Sequence, residues 1–337
     1  MSEYFPIPTI AQRSRMVIGS GAIFKKNSHF IHPGWRLRNL LTPKQVARAL
    51  NVSESSVKRW CDKGVIETRH TAGGHRRISM DSVLQFLRNG DCTLVRPEAL
   101  GLPPTSGKSI RVLQRGRAQL TEALLAGEEA RSRQVVIDLY LAGHSLAVIC
   151  DELFAAAFHE IGDRWACGEA EVYQERLGCE ISSRVLIELQ KLLPSPPALA
   201  PAAIGGTVSH DHYQLGTLMA ELVLRDARWN ALSLGTNLPF ETVAASIRTN
   251  RPRLFWLSCS HMCDETEFLE GYSRLYEEFG TDTAIVVGGR ALTDRVRQRM
   301  KYASYCDNMQ HLESFARTLQ GAIPPDSPPA PSAKEEL

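Results

Sequence analysis

The sequence predicts a multidomain protein of mixed α and α/β class: a small helical head, a helical bundle, and an α/β domain built on a doubly wound parallel sheet. Three observations predict it. The 337 residues exceed what one hydrophobic core commonly serves. Stretches rich in proline, glycine and serine interrupt the chain at Arg96-Pro97 to Gly107 and at Pro194-Ser195-Pro196-Pro197. The pattern between them also changes, from helical periodicity in the middle to short apolar runs alternating with helical stretches in the last third.

These breaks set the expected organisation. Residues 1–38 hold Pro6, Pro8 and Pro33 with basic spots at Lys25-Lys26 and Arg36 to Arg38, and are expected to be a disordered basic arm. The head spans 39–92, a linker 93–107, the bundle 108–193, a second linker 194–201 and the α/β domain 202–321. A disordered tail is expected over 322–337.

Charge separates the ends. Residues 1–90 carry 15 Lys+Arg against 5 Asp+Glu, whereas the remainder carries 24 against 32. A basic head on an acidic body suits a polyanion, because cations near phosphates release condensed counterions; on charge alone, a solvated basic face is the alternative. The chain has neither a bilayer-length apolar run nor a secretory signal pattern, so no membrane association and a cytoplasmic location are expected. The eight cysteines form no CxxC pair and read as reduced thiols.

The head begins with Thr42 as a helix cap and Pro43 at the first helical position, followed by Val46, Ala47 and Leu50 on one face. Asn51-Val52 makes a turn, Ser53 caps again, and a helix from Glu54 to Lys63 buries Val57 and Trp60. This is a helix-turn-helix pattern. Its second helix offers Ser55, Ser56, Lys58 and Arg59 for base edges and phosphates of double-stranded DNA. Two short strands around Gly73-Gly74 then form a β-ribbon wing carrying Arg69, His75, Arg76 and Arg77. The order Leu-Thr-x-x-x-Val-Ala, Val-Ser-x-x-Ser-Val-x-Arg-Trp, Arg-x-Thr-Ala-Gly-Gly-His-Arg-Arg-Ile resembles the MerR/excisionase-like winged-helix family over residues 41–88. The resemblance implies wing contacts to the DNA backbone through Arg69, His75, Arg76 and Arg77, and pairing or tetramerisation of the heads.

From Ser109 to Leu193 apolar stripes recur at helical spacing: Leu146, Ile149, Leu153, Ala157 and Ile161, then Leu177, Ile181, Val185 and Leu189. Four or five helices are expected. The segment from Gly162 to Arg176 resembles the helical cap of cobalamin-binding photoreceptor regulators, in which a tryptophan is followed ten and eleven residues on by glutamate and histidine. Trp165 and Glu175 match, and Arg176 stands where the histidine would be. The resemblance implies that Trp165 covers the corrin's upper face and Glu175 touches the upper ligand, with the histidine ligating cobalt after light. On its own, Trp165 reads as a core aromatic.

Strands are expected at Ala202 to Val208, Ala231 to Leu234, Leu254 to Leu257 and Ala284 to Val287, with helices at Leu215 to Leu224 and around Val243 to Arg248. Ligands of such sheets sit at the C-terminal strand ends. The segments there resemble the cobalamin-binding flavodoxin-like domain, whose first loop reads Asp-x-His-x-x-Gly with the histidine ligating cobalt from below. Asp211 and Gly216 match and Tyr213 replaces the histidine; Ser258, Ser260, Gly288 and Gly289 correspond to the groove for the nucleotide tail. A neutral phenol is a poor cobalt ligand beside an imidazole. The resemblance thus implies cobalamin as cofactor while both ligand histidines are absent, leaving open weak binding, a different ligand or none. Alternatively, His210 and His212 beside Cys259, His261 and Cys263 would offer ligands to zinc or haem iron if the first and third strands are neighbours.

The sequence therefore points to a DNA-binding transcription regulator, not an enzyme, whose sensor-like body forms a homo-oligomer. A cobalamin-binding light-responsive repressor and a corrinoid-dependent enzyme component are the competing functions. The basic winged helix and the missing lower histidine argue against the enzyme.

Overall fold

The computed structural model describes residues 40–71, 73–88, 92, 94–101 and 110–321. The basic arm, residues 93 and 102–107 of the first linker, residues 108–109 at the start of the expected bundle, and the tail lie outside the described residues. The head consists of β1 (Leu40–Leu41), α1 (Pro43–Leu50), α2 (Glu54–Asp62), β2 (Thr68–His70), β3 (Arg76–Ser79) and α3 (Met80–Arg88). Its local chemistry follows the sequence closely. The Thr42 hydroxyl accepts the Gln45 amide at 3.2 Å, and Gln45 Oε1 accepts the Thr42 amide at 2.9 Å, a reciprocal capping box that starts α1. Asn51 ends α1 at φ 54°, a left-handed position that asparagine tolerates better than most residues. Ser53 then accepts the Ser56 amide at 3.1 Å to start α2.

Strand β3 pairs antiparallel with both β1 and β2, and the Thr71 hydroxyl and carbonyl close the wing turn with His75 and Gly74. Part of the stretch read as linker belongs to the head. Pro97–Leu100 forms one 3-10 turn against α1, the amides of Val95 and Arg96 donate to the Ala49 carbonyl, and Leu100 is fully buried. Composition marked this segment as loose, but a single buried leucine and two hydrogen bonds hold it.

The bundle holds α4 (Ile110–Leu125), α5 (Glu129–Leu141), a long rod and α8 (Val172–Gln190). The rod runs through α6 (Leu146–Val148), a π-helical stretch (Ile149–Ala155) and α7 (Ala156–Ala166). The predicted stripe Leu146, Ile149, Leu153, Ala157 and Ile161 is buried along it. On α8, Ile181, Val185 and Leu189 are buried but Leu177 is 41% exposed, so the stripe starts one turn later than its spacing suggests.

The α/β domain alternates β4 (Ala202–Gly206), α9 (Gln214–Asp226), β5 (Asn230–Ser233), α10 (Phe240–Asn250), β6 (Leu254–Ser258), α11 (Glu265–Phe279), β7 (Ala284–Gly288), α12 (Asp294–Arg297), β8 (Ser304–Tyr305) and α13 (Met309–Gly321). All strands are parallel, in the order β5-β4-β6-β7-β8. This is the doubly wound, flavodoxin-like arrangement the alternation predicts, with β8, α11, α12 and α13 added to the expected elements. Trp229, Trp256 and Leu224 fill the face under α9 and α13; Phe255, Tyr272 and Ile285 fill the other under α10 and α11. The chain direction reverses at β4, so the loops after β4 and β6 lie side by side at the switch point.

Leu218, Met219, Leu222 and Val223 of α9 pack into the bundle's core, and hydrogen bonds join the two as well. Gln190 of α8 donates to the buried Glu221 of α9 at 2.9 Å. Asp151, on the π-helical stretch, accepts the amides of Met309 and Gln310 at 2.8 and 2.9 Å and the Gln310 side chain at 3.2 Å, capping α13 from another domain. Bonds to a charged acceptor contribute about 1.5–3 kcal/mol each way they are broken singly. Asp151→Ala is therefore expected to destabilise the chain by about 1–3 kcal/mol, checked as a lower thermal midpoint. Asp151→Asn, which retains an acceptor, is expected to lose less, and equal midpoints for all three chains would remove the cap from the account.

Candidate nucleic-acid interface and ligand site

On the head, Ser55, Lys58 and Arg59 are exposed on α2 and Ser56 is half-buried. Both serine hydroxyls lie 2.8 Å from the capping Ser53 hydroxyl, which groups three short polar side chains at the start of the recognition helix. Lys58 pairs with Glu54 one turn back at 2.8 Å, an exposed pair of little strength. Among the described residues Arg59 has no ion-pair partner. Val57 is fully buried and Trp60 packs on Phe86 with ring centroids 4.8 Å apart, so the apolar face of α2 fixes which side is presented.

The wing cations divide. His75 stands exposed at the ribbon's turn, and Arg77 donates to the Arg76 carbonyl at 3.2 Å. Arg76 reaches back to Asp62 at the end of α2, 2.5 Å away, and so ties the wing to the recognition helix. Arg69 pairs across the ribbon with Arg77 but lines a cleft shared with Glu67, Lys191 and Arg228. The sequence grouped these cations as one phosphate-contacting set; the structure puts Arg69 and Arg77 side by side on one face of the ribbon, Arg76 on the other face against Asp62, and His75 at the turn.

In the body, the fully buried Asp211 organises the switch point. Its carboxylate accepts the amides of Tyr213 at 3.0 Å, Ser260 at 2.6 Å and His261 at 3.2 Å, and so joins the β4 and β6 loops. The Asp211 carbonyl accepts the Thr207 hydroxyl at 2.6 Å. Tyr213 projects from this loop toward α8, where the Arg176 guanidinium lies 5.7 Å from its ring centroid. Arg290, just after β7, lies 4.9 Å from the same centroid. Glu175 is half-buried beside Arg176, and Trp165 is 53% exposed at the end of α7, so its reading as a core aromatic is wrong.

Arg290 was not legible as a site residue, although its position directly after Gly288-Gly289 at a strand's C-terminal end is a signal of the right kind. The two glycines and Gly216 are needed for close approach. A Cβ on Gly216 would stand 2.6 Å from Ser258 Oγ, and Gly289, at φ +112°, lies against the Cys259 backbone. With Ser258 and Ser260 they border a cavity of about 190 Å³ between α9, α13 and the sheet.

The arrangement does not fit a corrin held between axial imidazoles. At the positions that the resemblance gives to the lower and upper histidines stand the phenol of Tyr213 and the guanidinium of Arg176, and neither offers an imidazole nitrogen. The structure gathers no zinc cluster at His210, His212, Cys259, His261 and Cys263. The β4 and β6 ends are neighbours as expected, yet among the described residues no three His, Cys, Asp or Glu side chains converge as a metal site. Cys259 is buried and donates to the His261 carbonyl; burial, then the Asp211 charge, pushes its thiol up to about 12, so it stays protonated. His261 and Cys263 form only a pair at 3.3 Å, and His210 and His212 are exposed, with His210 anchored through its amide to Asn237.

Comparison with known proteins agrees with this division. Residues 40–91 match the family described as a helix-turn-helix domain, and residues 117–190 match the B12 binding domain. The HTH-type transcriptional repressor CarH of Myxococcus xanthus is 26% identical over 245 residues, spanning 68% of this chain and 81% of that protein. The solved monomethylamine corrinoid protein of Methanosarcina barkeri superposes with a TM-score of 0.52 at 17% identity, over 61% of this chain and 99% of that one. This last likeness concerns the fold alone. No described helix is long and apolar enough to cross a membrane. The chain is a helix-turn-helix regulator whose DNA-binding head is followed by a cobalamin-binding-like region.

Proposed function

We propose that this regulator binds a specific operator in the cytoplasm as a homo-oligomer assembled through its body, and that its body works without cobalt coordination. The donor chemistry of Tyr213 and Arg176, which meet where the resemblance places the two histidines, carries the second half of this reading: neither side chain offers an imidazole. A cation at Arg176 also opposes a positively charged cobalt centre. The isolated likeness of fold to a corrinoid protein assigns no catalysis, and the winged head favours regulation.

One head reads one short half-site, so specific binding gains from pairing two heads on one duplex. Removal of residues 108–337 is expected to lower affinity for a selected operator at least tenfold more than affinity for random duplex, measured by fluorescence anisotropy. Sedimentation of the full chain at micromolar concentration is expected to give a dimer or larger. A strict monomer, or equal losses on both duplexes, would contradict the proposed assembly.

A further inference from the structure

A cleft of about 1060 Å³ separates the wing and α3 of the head from the ends of α8 and α9 in the body. Its cations come from three parts of the fold: Arg69 of β2, Lys191 after α8 and Arg228 after α9. Glu67 is the one carboxylate among its described lining residues, and among the described residues none of the three cations has an ion-pair partner. Arg228 stands at φ 70°, a left-handed position that favours glycine. Its amide donates to the Arg225 carbonyl at 3.0 Å, and the fully buried Trp229 anchors the next residue, so the turn is held in place. A charged side chain is thus kept at the cleft wall where glycine would suit the backbone better. Cations held together at a crevice repel, and an anionic occupant relieves that repulsion.

Helix α13 delivers such an occupant. The Gln320 side chain donates to the Ala227 carbonyl at 3.0 Å, so the chain after Gly321 leaves the body beside Arg228. Residues 322–337 carry Asp326, Glu335 and Glu336 against Lys334 alone. Asp326 lies five residues past Gly321 and Glu335 fourteen, distances that an extended chain spans up to about 18 and 50 Å. Pro324, Pro325, Pro328, Pro329 and Pro331 stand between them, and their fixed φ lowers the entropy lost when such a segment is seated. The cleft offers apolar seats at Leu40, which is 51% exposed, and at Pro194 and Pro196. Its volume suits a chain segment rather than a single ion, since the share of one water is about 30 Å³.

We infer that the acidic, proline-rich segment after α13 docks in this cleft of its own chain and sets its carboxylates against Arg228, Lys191 and Arg69. Arg69 shares a ribbon face with Arg77, so the docked segment covers wing cations that a duplex would otherwise meet. The segment and the DNA backbone then compete for one positive face, and the undocked chain binds DNA more tightly. The inference goes beyond operator binding, and the first of its tests needs no DNA.

That test is zero-length carbodiimide coupling of the full chain, read by peptide mass spectrometry. The exposed Lys191 is expected to be joined to Glu335 or Glu336, within one chain in a mixture of unlabelled and isotope-labelled protein. The yield should fall at high salt and in Arg228→Gly, which removes the charge from a position whose backbone glycine accepts. The second test compares random-duplex affinity at low salt for the parent and for Asp326→Asn/Glu335→Gln/Glu336→Gln. The neutralised chain is expected to bind about three- to tenfold more tightly, with the gap closing as salt rises. Arg228→Gly is expected to tighten binding in the parent and to leave the neutralised chain unchanged. No coupling to Lys191, coupling only between copies, equal affinity of parent and neutralised chains, or additive effects of the two changes overturns the inference. Weaker duplex binding in Arg228→Gly would assign the cleft to the DNA backbone and overturn it as well. Intact coupling with no duplex bound by any chain would contradict the operator reading while still supporting the docking, so the two failures are distinct.

Discussion

Tyr213→His is expected to bind cobalamin at least tenfold more tightly than the parent chain, with a change in the corrin's visible absorption that the parent does not produce. The loop already holds Asp211 and Gly216 where the cobalamin-binding family has them, and the missing element is a nitrogen donor at position 213. An imidazole supplies one near neutral pH, whereas a phenol does not. The change also removes the ring that meets Arg176 and Arg290. Cation–π contacts at exposed sites contribute about 0.5–1 kcal/mol, so their loss is a small obstacle to reopening the crevice. Tyr213→Phe keeps the stack and supplies no donor; its cobalamin binding is expected to equal that of the parent. The gain in Tyr213→His should increase further in combination with Arg176→His. A Tyr213→His chain with no spectral change would show that the loop departs from the family in more than its ligand.

Arg59→Ala is expected to lower affinity for the operator by 5- to 150-fold, the equivalent of about 1–3 kcal/mol for one base-reading arginine, and to relax preference at the base it reads. Arg59 is exposed on α2 and has no ion-pair partner among the described residues, so its guanidinium is available to a base edge. Arg77→Ala should weaken specific and random duplex alike and reduce the dependence of log affinity on log salt by about one. Arg76→Ala differs from both, because Arg76 is paired with Asp62. Its removal leaves a carboxylate unpaired at the end of the recognition helix, where a phosphate would meet it. The loss should therefore exceed that of Arg77→Ala and be partly restored by Asp62→Asn in the same chain. An unchanged affinity in both Arg59→Ala and Arg77→Ala would contradict the assigned interface.

The head was legible because its signals are local. Thr42, Pro43, Asn51 and Ser53 act within a few residues of themselves, through caps and a turn, and the structure realises each. The parallel sheet was legible from the alternation of apolar runs with helices, and its order places the β4 and β6 loops together as expected. Long-range contacts escaped the reading. The two residues of β8 are too few to show a period, and Leu100 looked like linker because its burial depends on α1. Arg76 looked like a free wing cation because Asp62, fourteen residues away, gives no signal in sequence of being its partner. Arg290 likewise joins Tyr213 only through the fold. Trp165 shows the reverse error: a large aromatic taken on its own suggested the core, but its place at the end of α7 leaves it exposed.

The most direct test measures the full chain on a duplex selected from a random pool, with and without adenosylcobalamin, in the dark and after illumination. Operator affinity and oligomeric state are expected to be the same in all four conditions, with tight, salt-dependent binding in each. Failure to select any duplex, or an affinity that changes tenfold or more with adenosylcobalamin or light, would contradict the account of a DNA-binding regulator whose body works without cobalt coordination.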